Sequence, residues 1–160
     1  MRIIDGSRPA GGLKFAVIVS KYNDFVTDRL QKGALAALAH FGVRDEDVTV
    51  IRVPGAFEIP TAARLAADTH EFDGIVCLGC LIRGATPHFE YISSAVAHGL
   101  TAASAATGIP MAFGVLTTNS VEEALERAVD GSSNKGWEAA AAAVEMAVIA
   151  SELSGRASTS

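Results

Sequence analysis

The run Cys77–Tyr91, CLGCLIRGATPHFEY, sets the terms for the rest of the chain. It continues an apolar, β-branched stretch, Gly74-Ile75-Val76-Cys77-Leu78, that reads as a strand. It then passes through a glycine-bounded turn, Arg83-Gly84-Ala85-Thr86-Pro87, and leaves as an amphipathic helix starting near His88. Strands that end in a loop of this kind and feed a helix start are places where α/β proteins hold anions. The loop N–H groups point at the ligand, and the helix dipole favours negative charge. A guanidinium, a hydroxyl and an imidazole lie within a few residues of that point. The same residues would also make an ordinary strand-to-helix connection with a satisfied histidine, and the stretch alone leaves both readings open.

The unit recurs along the chain. Leu13–Ser20 is a buried strand, followed by a helix that Asn23 or Asp24 can cap and Gly42 ends. Val48–Val53 is a second strand, leading through Pro54-Gly55-Ala56-Phe57-Glu58 to a helix starting near Ile59-Pro60. The third strand spans 74–82 and its helix 88–106. Pro110–Leu116 is a fourth strand, and Ser120-Val121-Glu122-Glu123 is a capping box opening a helix through Arg127. A turn at Asp130-Gly131-Ser132-Ser133 precedes a last helix from about Asn134 to Leu153. Its centre is apolar almost all round, which predicts burial on more than one side and points to a subunit interface. This order predicts a three-layer α/β/α sandwich around a four-stranded parallel sheet. The domain is expected over 13–153, between a glycine-containing arm at 1–12 and a flexible tail at 154–160.

Ligands of such sheets bind beyond the carboxyl ends of the strands, at a topological switch point. That rule gathers four separate segments: Lys21-Tyr22-Asn23, Gly55–Glu58, Leu81–His88 and Thr117-Thr118-Asn119. A shared site is therefore expected before any family is considered.

Composition narrows the partners. A formal charge of −5, with no dense Lys/Arg patch, argues against nucleic acid. No apolar run is long enough for a transmembrane helix, and Met1–Gly6 lacks an apolar signal core, so a cytoplasmic protein is expected. Hydrophobic residues make up 49% and mean hydropathy is +0.30, high for a small monomer, so an oligomer is expected.

Rival motifs fail on chemistry. Gly79–Thr86 nearly matches a nucleotide-binding phosphate loop, but Ala85 stands where lysine would reach the outer phosphates. Binding of a single phosphate by Gly84-Ala85-Thr86 survives that objection. His88-Phe89-Glu90 and the Cys77/Cys80 pair resemble a zinc-deaminase signature in reversed order. Residues three apart in a strand face opposite ways, so the cysteines are read as packing residues and no metal site is expected. His40, His70 and His98 occur singly. An imidazole at a helix start, as at His88, suits taking and returning protons. Taken alone, Arg127 and Lys135 read as an arginine offsetting a helix dipole and a solvated lysine.

With these residues assembled, residues 13–153 closely resemble the 6,7-dimethyl-8-ribityllumazine synthase family of riboflavin biosynthesis. The resemblance rests on Val53–Pro60, Gly79–Tyr91, Phe113–Thr118 and Asn134-Lys135-Gly136, in that order. It implies a flavodoxin-like fold and a transferase that needs no metal, flavin or nicotinamide. The implied substrates are 5-amino-6-ribitylamino-uracil and 3,4-dihydroxy-2-butanone 4-phosphate. By position, it implies that Tyr22 stacks on the pyrimidine and that Asn23 with Gly55, Ala56, Phe57 and Glu58 holds the ribityl chain. Leu81 and Ile82 would line the pyrimidine pocket. Arg127, with the backbone of Ala85 and Thr86, would grip the phosphate, and His88 would carry protons. Phe113, Arg127 and Lys135 would come from the adjacent subunit. Tyr22 departs from the family's usual Phe or Trp, and Leu81 from its common Val; both keep the side-chain class.

The resemblance further implies a homopentamer, with an arm that pairs with a neighbouring subunit. The short turn from Ala128 to Ser133 favours the 60-subunit icosahedral shell, whereas Pro9 works against strand pairing in the arm. Riboflavin synthase is a candidate partner. Two rival functions remain: a non-catalytic carrier of flavin or lumazine, or a structural shell, on the same fold; and the related pentameric riboflavin synthase, which dismutates two lumazines. Joint retention of His88, Arg127 and Lys135 favours catalysis over the first. The Gly79–Tyr91 and Asn134–Gly136 patterns fit lumazine synthase better than the second.

Overall fold

Strand β1, Phe15–Ser20, is buried at all six positions, as a run of large apolar residues at the centre of a two-faced sheet must be. In the computed structural model, which describes residues 1–84 and 87–155, it is flanked by β2 (Val48–Val53) and β3 (Gly74–Ile82). Strand β4, Met111–Thr118, pairs with β3 and completes a parallel sheet of order β2-β1-β3-β4. The winding direction reverses after β2, which puts the switch point between β1 and β3.

The period-2 alternation of side chains sorts the core into two layers. Phe15, Val17, Val19, Val76, Leu78 and Cys80 pack under α1 (Asp24–His40), α4 (Val121–Glu126) and α5 (Lys135–Leu153). Ala16, Ile18, Ile75, Cys77 and Val115 face α2 (Ile59–Asp68) and α3 (His88–Thr107). The three-layer α/β/α architecture is as expected, and Cys77 and Cys80 fall on opposite faces. Both thiols are free, and burial pushes them up, Cys77 to about 12 and Cys80 to about 11.

Two local expectations need correction. The fourth strand continues to Thr118, because Leu81 and Ile82 of β3 pair with Thr117 and Thr118. Asn23 occupies the N-cap position of α1 but makes no capping bond with its side chain. Within the protomer α5 buries one stripe, Gly136, Ala139, Ala140, Ala143, Val144, Ala147, Val148 and Ser151, which leaves its other faces to the expected subunit interface. Glu145 and Met146 face outward.

The arm at 1–12 lies along α5 of its own chain. Gly6 sits against Glu145, Arg8 Nε is 3.7 Å from the Glu152 carboxylate, and Ala10 is buried in the core. Helices α1 and α5 cross closely because Gly136 has no side chain: a Cβ there would run into the backbone carbonyl of Leu30. Among the described residues, no helix is long and apolar enough to cross a membrane, and no group of three or more His, Cys, Asp or Glu could hold a metal.

Candidate active site at the strand ends

Each loop at the carboxyl edge of the sheet is fixed by backbone geometry carried over from its strand. Past β1, the Lys21 N–H donates to the Val53 carbonyl at 2.8 Å and the Tyr22 N–H to that of Pro54 at 3.1 Å. The β1–β2 ladder thereby extends into the loops and places Tyr22 beside Gly55–Glu58. Asn23 adopts a left-handed backbone, φ 61 and ψ 44, which Asn tolerates better than most residues. Its side-chain Nδ2 donates to the Cys80 carbonyl at 2.9 Å and so ties the end of β1 to β3 across the switch point. Thr27 Oγ1 caps the last carbonyl of β1, at Ser20, at 2.8 Å.

After β2 the chain makes one 3₁₀ turn, Ala56–Glu58, leading directly into α2. Ala56 is buried and Glu58 half-buried, while Phe57 stays 61% exposed. Tyr22 is 71% exposed. Two bare aromatic rings at the strand ends are suited to a stacking ligand or to cover by another chain. Leu81 and Ile82, both half-buried, end β3 at the same edge and pack toward opposite faces of the sheet.

His88 is the first residue of α3, exposed, directly behind Pro87. Ala85 and Thr86, expected to bind phosphate through their backbone, lie outside the described residues. On the far side of β4, Ser120 caps α4 by accepting the Glu123 N–H at 3.2 Å. Glu123 Oε2 in return accepts the Asn119 N–H at 2.7 Å. Arg127 follows α4, 3.7 Å from Glu123 Oε1. Its carbonyl accepts the N–H of Lys135 at 2.9 Å, so Arg127 and Lys135 form one basic unit. Lys135 Nζ is 2.8 Å from Glu138.

Asn134, only 1% exposed, holds this unit in place. Its Oδ1 accepts from Gly136 and Trp137 N–H at 2.8 and 3.1 Å, and its Nδ2 donates to the Arg29 carbonyl at 3.2 Å. The helix start was legible from the turn at Asp130-Gly131-Ser132-Ser133 before it. The bond to α1 was not, since no spacing rule joins residues so far apart in sequence.

Tyr22, Asn23, Gly55, Ala56, Phe57, Glu58, Leu81, Ile82 and the start of α3 at His88 thus come together at one edge. Phe113 does not join them. It pairs with Cys77, five residues below the end of β4, which at ~3.3 Å per residue is about 16 Å from the strand ends. It is 47% exposed and lines a shallow groove of about 490 Å³ with Ala97, Leu100, Thr101, Ser104 and Met111. A larger concavity, about 1010 Å³, lies at the opposite end of the sheet, where Lys14, Asp47, Thr49 and Asp73 line it. Sequence reasoning put Arg83 beside an anion site and Asn119 in a strand-end loop, but it did not foresee that they bond to each other, Arg83 Nε to Asn119 Oδ1 at 3.0 Å.

The fold is that of a flavodoxin-like α/β protein, with exposed aromatic side chains gathered beside the switch point of its parallel sheet. Residues 12–151 match the family model of 6,7-dimethyl-8-ribityllumazine synthase. A 6,7-dimethyl-8-ribityllumazine synthase from Syntrophus aciditrophicus (strain SB) is 51% identical over 144 residues, covering 90% of this chain and 94% of that protein. The chain belongs to the 6,7-dimethyl-8-ribityllumazine synthase family.

Proposed function

We propose that the protein condenses 5-amino-6-ribitylamino-uracil with 3,4-dihydroxy-2-butanone 4-phosphate to give 6,7-dimethyl-8-ribityllumazine, phosphate and water. The pyrimidine amine attacks the ketone and an imine forms with loss of water. Phosphate then leaves, and ring closure with a further loss of water completes the lumazine. The observation that carries this reading is the meeting of Tyr22-Asn23, Gly55–Glu58 and Leu81–Ile82 at one sheet edge, with Asn23 bonded to the Cys80 carbonyl between them.

In this reading Tyr22 stacks on the pyrimidine, a role its exposed ring supports. Asn23 and Gly55–Glu58 hold the ribityl hydroxyls, and Leu81 and Ile82 line the ring pocket. Arg127 and the Ala85–Thr86 backbone take the phosphate, and His88 relays protons. Much of the rate enhancement then comes from holding two reactants together, since imine formation and dehydration are mild chemistry.

The site is shared between subunits of a cytoplasmic homopentamer, which assembles further into a 60-subunit shell able to associate with riboflavin synthase. The distance of Phe113 from its own strand ends supports sharing: a side chain so placed can serve a site only on a neighbouring chain. The decisive experiment mixes the purified protein with the two substrates and follows lumazine absorbance and fluorescence against the uncatalysed reaction. A rate above background is expected. Background rate from an intact oligomer would transfer the assignment to a carrier, and turnover of lumazine alone to the dismutating relative. Sedimentation at pentamer mass in varied buffers would overturn the shell.

A further inference from the structure

Arg83 stands at the exit of β3 with both its backbone and its side chain committed. Its N–H donates to the Thr118 carbonyl at 2.8 Å, the last residue of β4. Its Nε donates to Asn119 Oδ1 at 3.0 Å, and its Nη1 to Glu90 Oε1 at 3.0 Å. The guanidinium carbon lies 4.9 Å from the centre of the Phe89 ring, within cation–π range. Asn119 is itself held, its N–H donating to Glu123 Oε2 at 2.7 Å.

These contacts straddle the connection that carries the proposed proton-transfer residue. Arg83 precedes it; Phe89 and Glu90, in the first turn of α3, follow His88 directly. One planar guanidinium therefore pins the end of β3, the end of β4 and the start of α3 to each other. The fork geometry of arginine suits this, whereas a lysine ammonium cannot present two donors at fixed angles. With its charge already met by Glu90, Arg83 is poorly placed to act as a ligand for an anion.

We infer that Arg83 is a positioning residue, clamping the first turn of α3 so that His88 is held at a fixed place over the strand ends. The inference rests on the proposed condensation for its kinetic consequence. Both members of the ion pair are about half exposed, Arg83 at 50% and Glu90 at 62%, so the pair adds little to global stability. A clamp lost from a catalytic group is costly in rate all the same, because small misplacements of reacting groups slow turnover strongly.

The test is steady-state kinetics on the assembled full-length protein and its Arg83→Ala and Arg83→Lys variants, with urea unfolding in parallel. Arg83→Ala is expected to lower kcat by about tenfold and raise KM for the butanone phosphate by about threefold, from the lost charged hydrogen bonds. KM for the pyrimidine, held by other loops, and the unfolding midpoint should stay at wild-type values. Arg83→Lys should recover only part of the loss, and added guanidinium ion should partly restore Arg83→Ala. Kinetics within twofold of wild type, or an equal loss for both substrates with a lowered midpoint, would overturn the clamp. If Arg83→Ala fails to assemble, Glu90→Ala and Asn119→Ala each remove one acceptor and must show the same selective pattern. An inactive wild type would sink the functional reading and leave the clamp to amide exchange. Faster exchange at Tyr91 and Ile92 in Arg83→Ala then supports it, and unchanged exchange overturns it.

Discussion

The side-chain amide of Asn23 donates to the backbone carbonyl of Cys80 at 2.9 Å, joining the first helix cap to the central strand of the site. Asn23 pays for that contact with a left-handed backbone at φ 61. Two variants separate the contributions. Asn23→Gly keeps the backbone free and loses only the bond, at a cost of about 1 kcal/mol. Asn23→Ala adds roughly 1 kcal/mol more of left-handed strain. Urea unfolding at fixed protein concentration reads both, and a glycine variant at wild-type stability would show that the bond contributes nothing.

The crossing of α1 and α5 predicts a sharper effect. Gly136→Ala puts a methyl into the Leu30 carbonyl, and the helices must separate, at a cost of about 3 kcal/mol. Because Asn134 and Lys135 sit at the same crossing, the variant should also displace the basic unit with Arg127. The expected result is a lowered unfolding midpoint together with weaker binding of the phosphate substrate. Normal stability would place the crossing differently.

Cys77 and Cys80 give a pH prediction with a definite sign. Burial raises both thiols, from 9.0 to about 12 and about 11. An unfolded chain loses these protons above pH 9 while the folded chain retains them, so the folded state binds more protons in that range. Stability from the two thiols is thus full below pH 9 and lost as pH rises toward 11 to 12. At pH 8 neither thiol should react with an aromatic disulfide reagent until denaturant is added. Prompt reaction of the native protein would contradict the burial.

His88→Ala should slow turnover without abolishing it. A positioned general acid–base group contributes about 10²-fold or more, while the effect of holding two reactants together survives its removal. The comparison is kcat of the assembled variant against the uncatalysed rate. Complete loss in an assembled variant would give His88 a larger role than proton relay.

What could be read from the sequence follows the range of the interactions. The helix start at Ser120 was legible because a cap bonds to an N–H group three residues away. The sheet edge where the strand-end loops gather was legible because parallel order follows from the alternation of elements. Thr117 and Thr118 were assigned to a loop, yet their pairing with Leu81 and Ile82 draws them into β4. Asn23 looked like a cap by residue type, but its partner is 57 residues away. Arg83 looked like part of an anion site, whereas Glu90 and Asn119 already use its donors. In each case a long-range partner decided between two local options.

Arg127 presents the opposite case, a guanidinium held by its backbone and left open at its head. Its carbonyl takes the Lys135 N–H at 2.9 Å, while its Nη2 stands 3.7 Å from Glu123, too long for a hydrogen bond. That arrangement leaves the donors available to an anion. Arg127→Ala should therefore weaken the phosphate substrate by about 1.5–3 kcal/mol, the worth of charged hydrogen bonds, with KM for the pyrimidine unchanged. Arg127→Lys keeps the charge but not the planar fork and should fall between the two. The measurement is KM for each substrate separately, with inorganic phosphate as competitor. An unchanged KM for the butanone phosphate in Arg127→Ala would remove this residue from the site and leave the phosphate to backbone donors alone.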